Sequence, residues 1–550
     1  MPTNALSQKP KYIFVTGGVM SGLGKGIVSG SVAKLLKLYG LRVTCVKMDP
    51  YINADAGTMN PIMHGEVFVT DDGGETDMDL GTYERFLDVN ITKDHNITTG
   101  QVYLDVIQAE RRGDFLGRCV QIIPHITDAI KERTRNVALK NNVDVLIVEC
   151  GGTVGDIEGL PFLEALRQMR FEEGSFNSIF IHVTLAPVLD TVGEEKTKPT
   201  QHSVQELRRI GIQPDILVVR GKKHLSDDSK RKIALFSSVD IGSVISNPDA
   251  ESIYKVPETL HAEGILDAIS EKLILHRNRI DWGDWGKISD SFVVAKEQIQ
   301  LAMVGKYATL ADSYVSVNES LRHAAAAHNA KAKLTWIESE EFEKNPTVLN
   351  SLDEYHGIII PGGFGKRGSE GKILAANHAR ERNIPYLGLC LGFQLAIVSF
   401  ARHMCGLAGA NSTELDPSTE YPVIDILPSQ KAVSGMGATM RLGGHDIDVV
   451  EGTIAYSLYR SKKIRQRHRH RYEFNQSYLE VFQKNGLRLS GFSDDMLRVE
   501  ILEIPSHPFY IATQYHPEFL SRPGRPEPVF NAFVGAAMRK KQPIISTTGS

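Results

Sequence analysis

The sequence predicts an α/β protein built from two doubly wound domains, each on a mostly parallel sheet. Three observations carry this. Short apolar runs alternate with amphipathic stretches from Lys11 to about His276, stop over 277–297, and resume from "IQLAMVGKY" to about Met538. The apolar runs are nearly continuous, as strands covered on both faces tend to be. The 550 residues are too many for one ordinary core.

Taken in order, the first domain (1–276) offers the strands "YIFVTG", "RVTCVKM", "VDVLIVEC", "SIFIHVTL", "DILVVR" and "GSVIS". Amphipathic stretches lie between them, among them Lys25–Leu38 and Ile122–Leu139. This alternation is that of a parallel sheet with helical crossovers. Residues 277–297, "RNRIDWGDWGKISDSFVVAKE", are polar, with two Trp and two Gly, and read as a linker. The second domain (298–540) continues through "HGIIIPGGFG", "IPYLGLCLGFQ" and "FYIATQYHPEF". The polar tail 541–550 reads as disordered.

Composition narrows the function classes. Hydrophobic residues make up 42% and charged residues 23%, with a net charge of -4, which argues against a general nucleic-acid binder. Five cysteines, at 45, 119, 150, 390 and 405, form no C-x-x-C pair and suggest a reducing compartment. The start, "MPTNALSQKPKY", has no apolar signal core, and no apolar run approaches the ~20 residues of a membrane helix. The expectation is a cytoplasmic protein acting on neither membranes nor nucleic acid.

The first chemistry lies in "TGGVMSGLGKG", Thr16–Gly26. A phosphate loop reads G-x-x-x-x-G-K-[ST]. Here one extra residue separates Gly18 from Gly24-Lys25, and Gly26 replaces the hydroxyl that would hold Mg²⁺. A strand, a glycine-rich turn and a helix starting at Lys25 still present backbone N–H groups to an anion. The metal must then be held by carboxylates elsewhere. Asp79, in "DDGGETDMDLGTYERF", and Glu149, ending "VDVLIVEC", are the candidates. Each alone could be a solvated surface acid; beside a phosphate loop the metal reading is favoured. In "GEEKTKPTQHS", residues 193–203, Lys196, Lys198 and Gln201 alternate on an expected extended segment before a helix. They suggest a second polyanion, against the default of a solvated lysine-rich loop.

The second chemistry lies in "YLGLCLGFQ", which sets Cys390 between Gly388 and Gly392. A nucleophile between two glycines, after a strand and before a helix, is an exposed elbow. The helix N-terminus favours a thiolate. The other four cysteines read as inert. "QYHPEF" adds His516 as base and Glu518 to orient it. "PGGFG", residues 361–365, ends a strand and can offer N–H donors to an oxyanion. Together they describe acyl transfer through a thioester.

The strings "CLGFQ", "PGGFG" and "HPEF" resemble class I glutamine amidotransferases. "GGVMSGLGKG", "KMDPYINADAGTMNPIMHGEVFVTDDGGETDMDLG", "VECGGTVGDIE" and "KTKPTQHSVQEL" resemble the CTP synthase family, and the likeness spans residues 11 to 538. The resemblance implies that ATP phosphorylates UTP at O4. Ammonia released from L-glutamine then reaches C4, giving CTP, ADP, phosphate and glutamate. It implies Ser21, Gly22, Leu23, Gly24, Lys25, Gly26, Ile27 and Lys47 for ATP, with Arg220 and Asp249 at the adenine, and Mg²⁺ on Asp79 and Glu149. Ser21, Lys196, Thr197, Lys198, Pro199, Thr200, Gln201 and Lys232 would hold UTP, and Asp156, Ile157 and Glu158 would sense CTP. Gly363 and Leu391 would form the oxyanion hole, and Gln394, Glu414 and Arg471 would grip glutamine. The run "RQRHRHRYEF" is then no nucleic-acid patch, since Arg471 meets an α-carboxylate. Activation by GTP, feedback inhibition by CTP, a homotetramer and stacking into filaments are implied as well. Two alternatives stand beside this: another glutamine-dependent amidoligase with a different acceptor, such as a cobyrinate-type amide synthase, and a filament-forming scaffold with weak catalysis.

Overall fold

A computed structural model describes residues 9–60, 64–188, 195–276, 279–306, 311–426, 440–493 and 496–541. The expected disordered tail lies outside these from residue 542 onward. The chain forms two compact units, residues 1–56 with 79–293 and residues 57–78 with 294–550.

The first unit is built on a seven-stranded parallel sheet. Its order is Asn96–Thr98, Val43–Asp49, Val145–Cys150, Lys11–Gly17, Ser178–Leu185, Ile216–Gly221 and Val244–Pro248. All six strands read from the sequence are present. The seventh, Asn96–Thr98, is a short edge strand without an apolar run to announce it. The central strand buries side chains on both faces, Tyr12 and Phe14 on one and Ile13 and Val15 on the other. That is why such strands read as unbroken apolar runs.

The chain leaves Lys11–Gly17 at the carboxyl end of the sheet and enters the helix Lys25–Leu38. Gly22 and Gly24 take φ of 75° and 83°, a backbone conformation that a side chain would strain. The helix packs through Val28, Val32, Leu35 and Leu36 and stops before Gly40, whose φ is 94°. The expected helix at Ile122–Leu139 runs regularly only over Thr127–Lys140. The expected linker contains a helix, Trp285–Val294. Trp285 is buried against Phe86 and Tyr254, with ring centroids 6.0 and 6.1 Å away, and Lys34 lies over its face. An aromatic anchor under a polar face makes the segment part of the unit.

The second unit carries a nine-stranded sheet. Five strands are parallel, in the order Ala330–Glu338, Glu297–Gly305, Gly357–Ile360, Tyr386–Leu389 and Tyr510–Thr513. Four more extend it in antiparallel fashion, Val499–Glu503, Arg488–Ser493, Arg441–Val449 and Lys463–His470. Residues 57–78 belong to this unit, although they precede it by more than 200 residues. Their hairpin, Phe68–Val69 with Glu75–Thr76, is held by arginines of the strand Lys463–His470. Arg467 donates to Val69 O at 3.0 Å, Arg465 pairs with Asp71 at 3.1 Å and Arg469 pairs with Glu75 at 2.7 Å. Arg467 is fully buried, so its charge requires such partners. The basic run is therefore a sheet strand with His468 and His470 inside, not an exposed patch. Among the described residues no helix is long and apolar enough to cross a membrane.

Candidate functional site

In the first unit four charged side chains meet at the carboxyl ends of the central strands. Lys47 and Glu149 are register partners on neighbouring strands. Adjacent in-register side chains project to the same face, and here they pair at 3.1 Å. Asp79, in the first turn of the helix Met78–Leu87, pairs with the same ammonium. Tyr83, one turn further on, donates to Glu149 Oε2 at 2.5 Å. Lys25 reaches across to the carbonyl of Gly152. Burial pushes the Glu149 carboxyl up, while Lys47 opposes it. Burial, with Lys47 alongside, pulls the Lys25 ammonium down. Asp49, on the strand of Lys47, is buried and pushed up to about 6. The site holds cations that want anionic partners and carboxylates that want a cation.

Gly26 explains the departure from the usual phosphate loop. A Cβ at Gly26 would lie 2.0 Å from Asp79 Oδ1. The space of a Ser or Thr side chain is thus taken by a carboxylate from another helix. Asp79 and Glu149 converge on one cation, Lys47 Nζ. Hard oxygen donors converging in this way fit Mg²⁺ completed by phosphate oxygens and water. Among the described residues no cluster of three or more His, Cys, Asp or Glu gathers as a metal cage.

The helix Lys198–Arg209 begins one residue after Thr197 and corrects the expected extended segment. Pro199 at its start suits a helix N-terminus. Lys198 and Gln201, three residues apart, therefore share a helix face instead of alternating on a strand. Gln201 donates to Thr197 Oγ1 at 3.0 Å, and Thr200 donates to Leu185 O at 3.0 Å. The helix lies against the phosphate loop: a Cβ on Gly18 would be 1.5 Å from Ser203 Oγ. His182 links the two, 2.9 Å from Thr16 Oγ1 and 2.8 Å from Ser203 Oγ. Burial, with Lys25 nearby, lowers this imidazole to about 3, so it stays neutral. Asp156 accepts from Thr153 N at 2.9 Å, and Ile157 and Glu158 beside it are exposed. Their loop is fastened to the phosphate strand by Val154 N–H to Gly17 O at 2.8 Å. Arg220 pairs with Asp249 at 3.0 Å and approaches Gly24. Ser21 is exposed in the loop, between the strand and Leu23 and Ile27. Lys232 is exposed on the helix Asp227–Ser237, and no described contact joins it to the rest.

In the second unit Cys390 forms the elbow between Tyr386–Leu389 and Leu391–Met404. Its φ of 50° and ψ of -97° are strained for a non-glycine residue, at a cost of roughly 1–3 kcal/mol. The flanking glycines have separate reasons. A Cβ on Gly392 would stand 2.1 Å from Ile360 O, and one on Gly388 would stand 2.7 Å from Gly392 O. His516 Nδ1 lies 2.7 Å from Glu518 Oε1. Gly362 lets His516 and Cys390 close in, since its Cβ would be 2.9 Å from His516 Cε1 and 3.7 Å from Cys390 Cβ. Burial works against the imidazolium, but Glu518 and Cys390 outweigh it and hold His516 up to about 10. The charged ring is the partner a thiolate needs.

Gly363 adjoins Leu391, whose side chain is 3.5 Å from the position of a Gly363 Cβ. Leu391 is the first residue of its helix, so its N–H has no partner inside it. Glu414 accepts from Gly365 N at 2.8 Å, and burial pushes its carboxyl up. Gln394 donates to Tyr472 O at 2.9 Å. Burial raises the Tyr472 phenol, Glu414 adds to the rise and Arg471 opposes it, so these groups gather at one place. Sequence reasoning missed Tyr83 and Gln514. Gln514 Nε2 lies 3.7 Å from Cys390 Sγ. It sits two residues before His516, the one signal that could have marked it.

A cysteine elbow of this kind, joined in one chain to a phosphate-loop domain, defines an amide-donating ligase. A family model described as CTP synthase N-terminus matches residues 11–275, and one described as glutamine amidotransferase class-I matches residues 309–536. The CTP synthase of Pyrococcus furiosus is 54% identical, covering 97% of this chain and 98% of its own. Those of Caldanaerobacter subterraneus and Methanococcoides burtonii are 53% and 52% identical, covering 96% and 97% of this chain and 99% of their own. The chain belongs to the CTP synthase family. It is a C–N bond-forming ligase with a glutamine amidotransferase domain.

Proposed function

We propose that the chain makes CTP by phosphorylating UTP at O4 with ATP and displacing that phosphate with ammonia drawn from L-glutamine. The reading rests above all on the meeting of Lys25, Lys47, Asp79 and Glu149 beside the phosphate loop, in a chain that also carries the Cys390 elbow. The backbone of Gly22–Ile27 and Lys25 receive the ATP phosphates. Lys47 faces the transferred phosphoryl group, and Arg220 and Asp249 face the adenine. Asp79 and Glu149 hold Mg²⁺, which when bound neutralises phosphate charge. Such transfers depend on positioning and charge more than on a base. Ser21, Lys196–Gln201 and Lys232 take the uridine nucleotide. Asp156, Ile157 and Glu158 take CTP as feedback inhibitor.

In the glutaminase half, Cys390 Sγ attacks the glutamine amide carbon. The N–H groups of Gly363 and Leu391 receive the oxyanion. The C–N bond breaks as His516 gives its proton to the leaving amine, releasing ammonia and leaving a thioester. Water attacks the thioester, His516 takes its proton, and glutamate departs. Glu518 orients the ring throughout. Gln394, Glu414 and Arg471 fix the amino-acid end. Ammonia then attacks C4 of the phosphorylated pyrimidine. GTP activation, assembly as a homotetramer or filament, and cytoplasmic residence belong to the same reading.

The test is product analysis with UTP, ATP and Mg²⁺, using glutamine and then ammonium. CTP from both donors is the expected result. Amidation of another acceptor in place of UTP would favour a different amidoligase, and no turnover by the assembled protein would favour a scaffold.

Gly26→Ala offers a further check. The added methyl collides with Asp79, and overpacking of this kind costs about 1–3 kcal/mol. CTP formation should fall about 10- to 100-fold with either donor, while glutamine hydrolysis alone stays intact. A fall confined to the glutamine reaction would count against the phosphate-site assignment.

A further inference from the structure

Gln514 has no role in the reaction scheme above, yet it touches the nucleophile. Its backbone follows the strand Tyr510–Thr513, and Gln514 N–H donates to Glu500 O at 2.9 Å. Cys390 N–H donates to Thr513 O at 2.8 Å. The elbow and this side chain are therefore fixed to the same strand end. Gln514 is buried, and so is Gln394, in the first turn of the helix that Cys390 opens. Gln394 Nε2 lies 2.9 Å from Tyr472 O and 3.2 Å from Gln514 Oε1. Gln514 Nε2 lies 3.7 Å from Cys390 Sγ.

The two ends of an amide side chain have the same shape, so its orientation is argued from its partners. Here one partner decides. A backbone carbonyl only accepts, so the atom of Gln394 beside Tyr472 O is its amide nitrogen. That nitrogen has a second hydrogen, which meets Gln514, so the facing atom of Gln514 is its carbonyl oxygen. The other end of Gln514, its amide nitrogen, then faces the sulfur. His470 Nδ1, 2.9 Å from the same Tyr472 carbonyl, donates to it by the same rule. Burial pulls that imidazole well down, so it stays neutral and brings no charge to the relay.

Other groups act on the same sulfur. Arg469 O, 3.6 Å away, can take only a thiol hydrogen and so favours S–H. His516, paired with Glu518, bonds to the sulfur as a cation and favours the thiolate. Gln514 donates to sulfur as well, and a donor lowers the energy of the charged form. Sulfur carries charge twice in the cycle, before it attacks and again when the thioester breaks.

We propose that Gln514 is a further catalytic residue of the glutaminase half, an N–H donor to the Cys390 thiolate, and that Gln394 is the positioning residue that turns its amide toward the sulfur. The inference deepens the glutaminase reading above and rests on it. As Sγ gives its electron pair to the glutamine amide carbon, the bond from Gln514 slackens. After water has added to the thioester, the C–S bond breaks and its electron pair returns to sulfur, where Gln514 N–H receives it. His516 keeps the proton it took from water, which restores the resting ion pair.

The experiment uses the full chain with Gln514→Glu, Gln514→Met, Gln394→Leu and the double variant Gln394→Leu/Gln514→Met. Gln514→Glu keeps an oxygen for Gln394 and sets another where the donor stood. Iodoacetamide alkylation is followed against pH at the Cys390 peptide by mass spectrometry, together with glutamate release. Iodoacetamide has no amino-acid end, so the grip of Gln394 on substrate drops out of that readout. The acid limb of alkylation should move up by at least about one pH unit in both Gln514 variants, and in the same direction in Gln394→Leu. Both Gln514 variants should lower kcat for glutamine about 10- to 100-fold, with KM changed less than about threefold and ammonium-dependent CTP formation preserved. The double variant should shift the limb no further than Gln514→Met, because Gln394 acts through Gln514. Thermal unfolding shows which variants fold, and Gln514→Met, which is uncharged, stands in if Gln514→Glu does not. An unmoved limb in a folded Gln514 variant overturns the inference. A fall of alkylation by one factor at every pH also overturns it, by reducing Gln514 to a structural role. Additive shifts in the double variant overturn the part given to Gln394. Absence of glutamate release by the unmodified protein sinks the glutaminase reading itself; the alkylation limb is measured without glutamine, so the two failures are distinguished.

Discussion

Replacing Cys390 with alanine removes glutamine-dependent CTP formation by about 10⁴-fold or more, the scale on which covalent catalysis fails without its nucleophile. CTP formation from ammonium stays within about twofold of the unmodified protein. The asymmetry follows from where the side chain sits. Cys390 is held at a strained φ of 50°, beside His516 and between Arg469 O and Gln514. None of these contacts involves Lys25, Lys47 or Glu149. Alanine keeps the Cβ and removes only the sulfur, so the elbow folds as before. His516 then loses the sulfur that, after Glu518, helps hold its pKa up to about 10 against burial. That raised value stabilises the native state below the ordinary imidazole pKa, and the contribution fades as pH climbs through the folded value. The variant should therefore differ from the unmodified protein in stability mainly in neutral and acidic solution. Measuring CTP from both donors, with unfolding followed at pH 6 and above, checks each part. Equal loss with both donors in folded protein would contradict separate sites.

How much of this could be read beforehand depends on the range of the interaction. Cys390 was legible because its glycines are local: Gly388 and Gly392 are demanded by Gly392 O and Ile360 O, and both sit within two residues of it in the sequence. His516 and Glu518 are two apart and appear as one string. Gly26 showed only as a missing hydroxyl. What replaces it, Asp79, lies 53 residues away and is recognised by a Cβ position. Residues 71–86 were legible as an acidic stretch, but the membership of 57–78 in the second unit was not. That membership rests on pairs such as Arg465–Asp71, which no local periodicity encodes. The helix Trp285–Val294 was hidden because its polar face dominates the composition, while Trp285 alone does much of the anchoring. The antiparallel strands of the second sheet were missed for a similar reason. Strands such as Lys463–His470 bury Arg467 and His468 against partners, so their interior positions are not apolar.

Lys25→Ala lowers CTP formation by about 10³-fold with glutamine and with ammonium alike, roughly 4 kcal/mol of lost transition-state stabilisation. The size reflects what the site does to this ammonium. Burial and the neighbouring Lys47 pull its pKa down, so without an anion the charge is poorly accommodated. A triphosphate supplies that anion, and the interaction grows as charge spreads over the transferred phosphoryl group. Arginine should not rescue. A Cβ on Gly17 would stand only 2.5 Å from Lys25 Cδ, so the lysine stem fills a slot shaped by the absence of a side chain. A planar guanidinium, with its donors fixed in a fork, neither fits that slot nor reaches Gly152 O as a single point charge. Cys390 alkylation without nucleotides should be the same in Lys25→Ala and the unmodified protein, because no contact of Cys390 runs through Lys25. Steady-state rates with both donors, alongside that alkylation rate, decide the matter. A loss confined to glutamine would move Lys25 out of the phosphate site, whereas an equal loss with intact alkylation places the shared step, phosphorylation of the acceptor, at the loop where Gly26 gives way to Asp79.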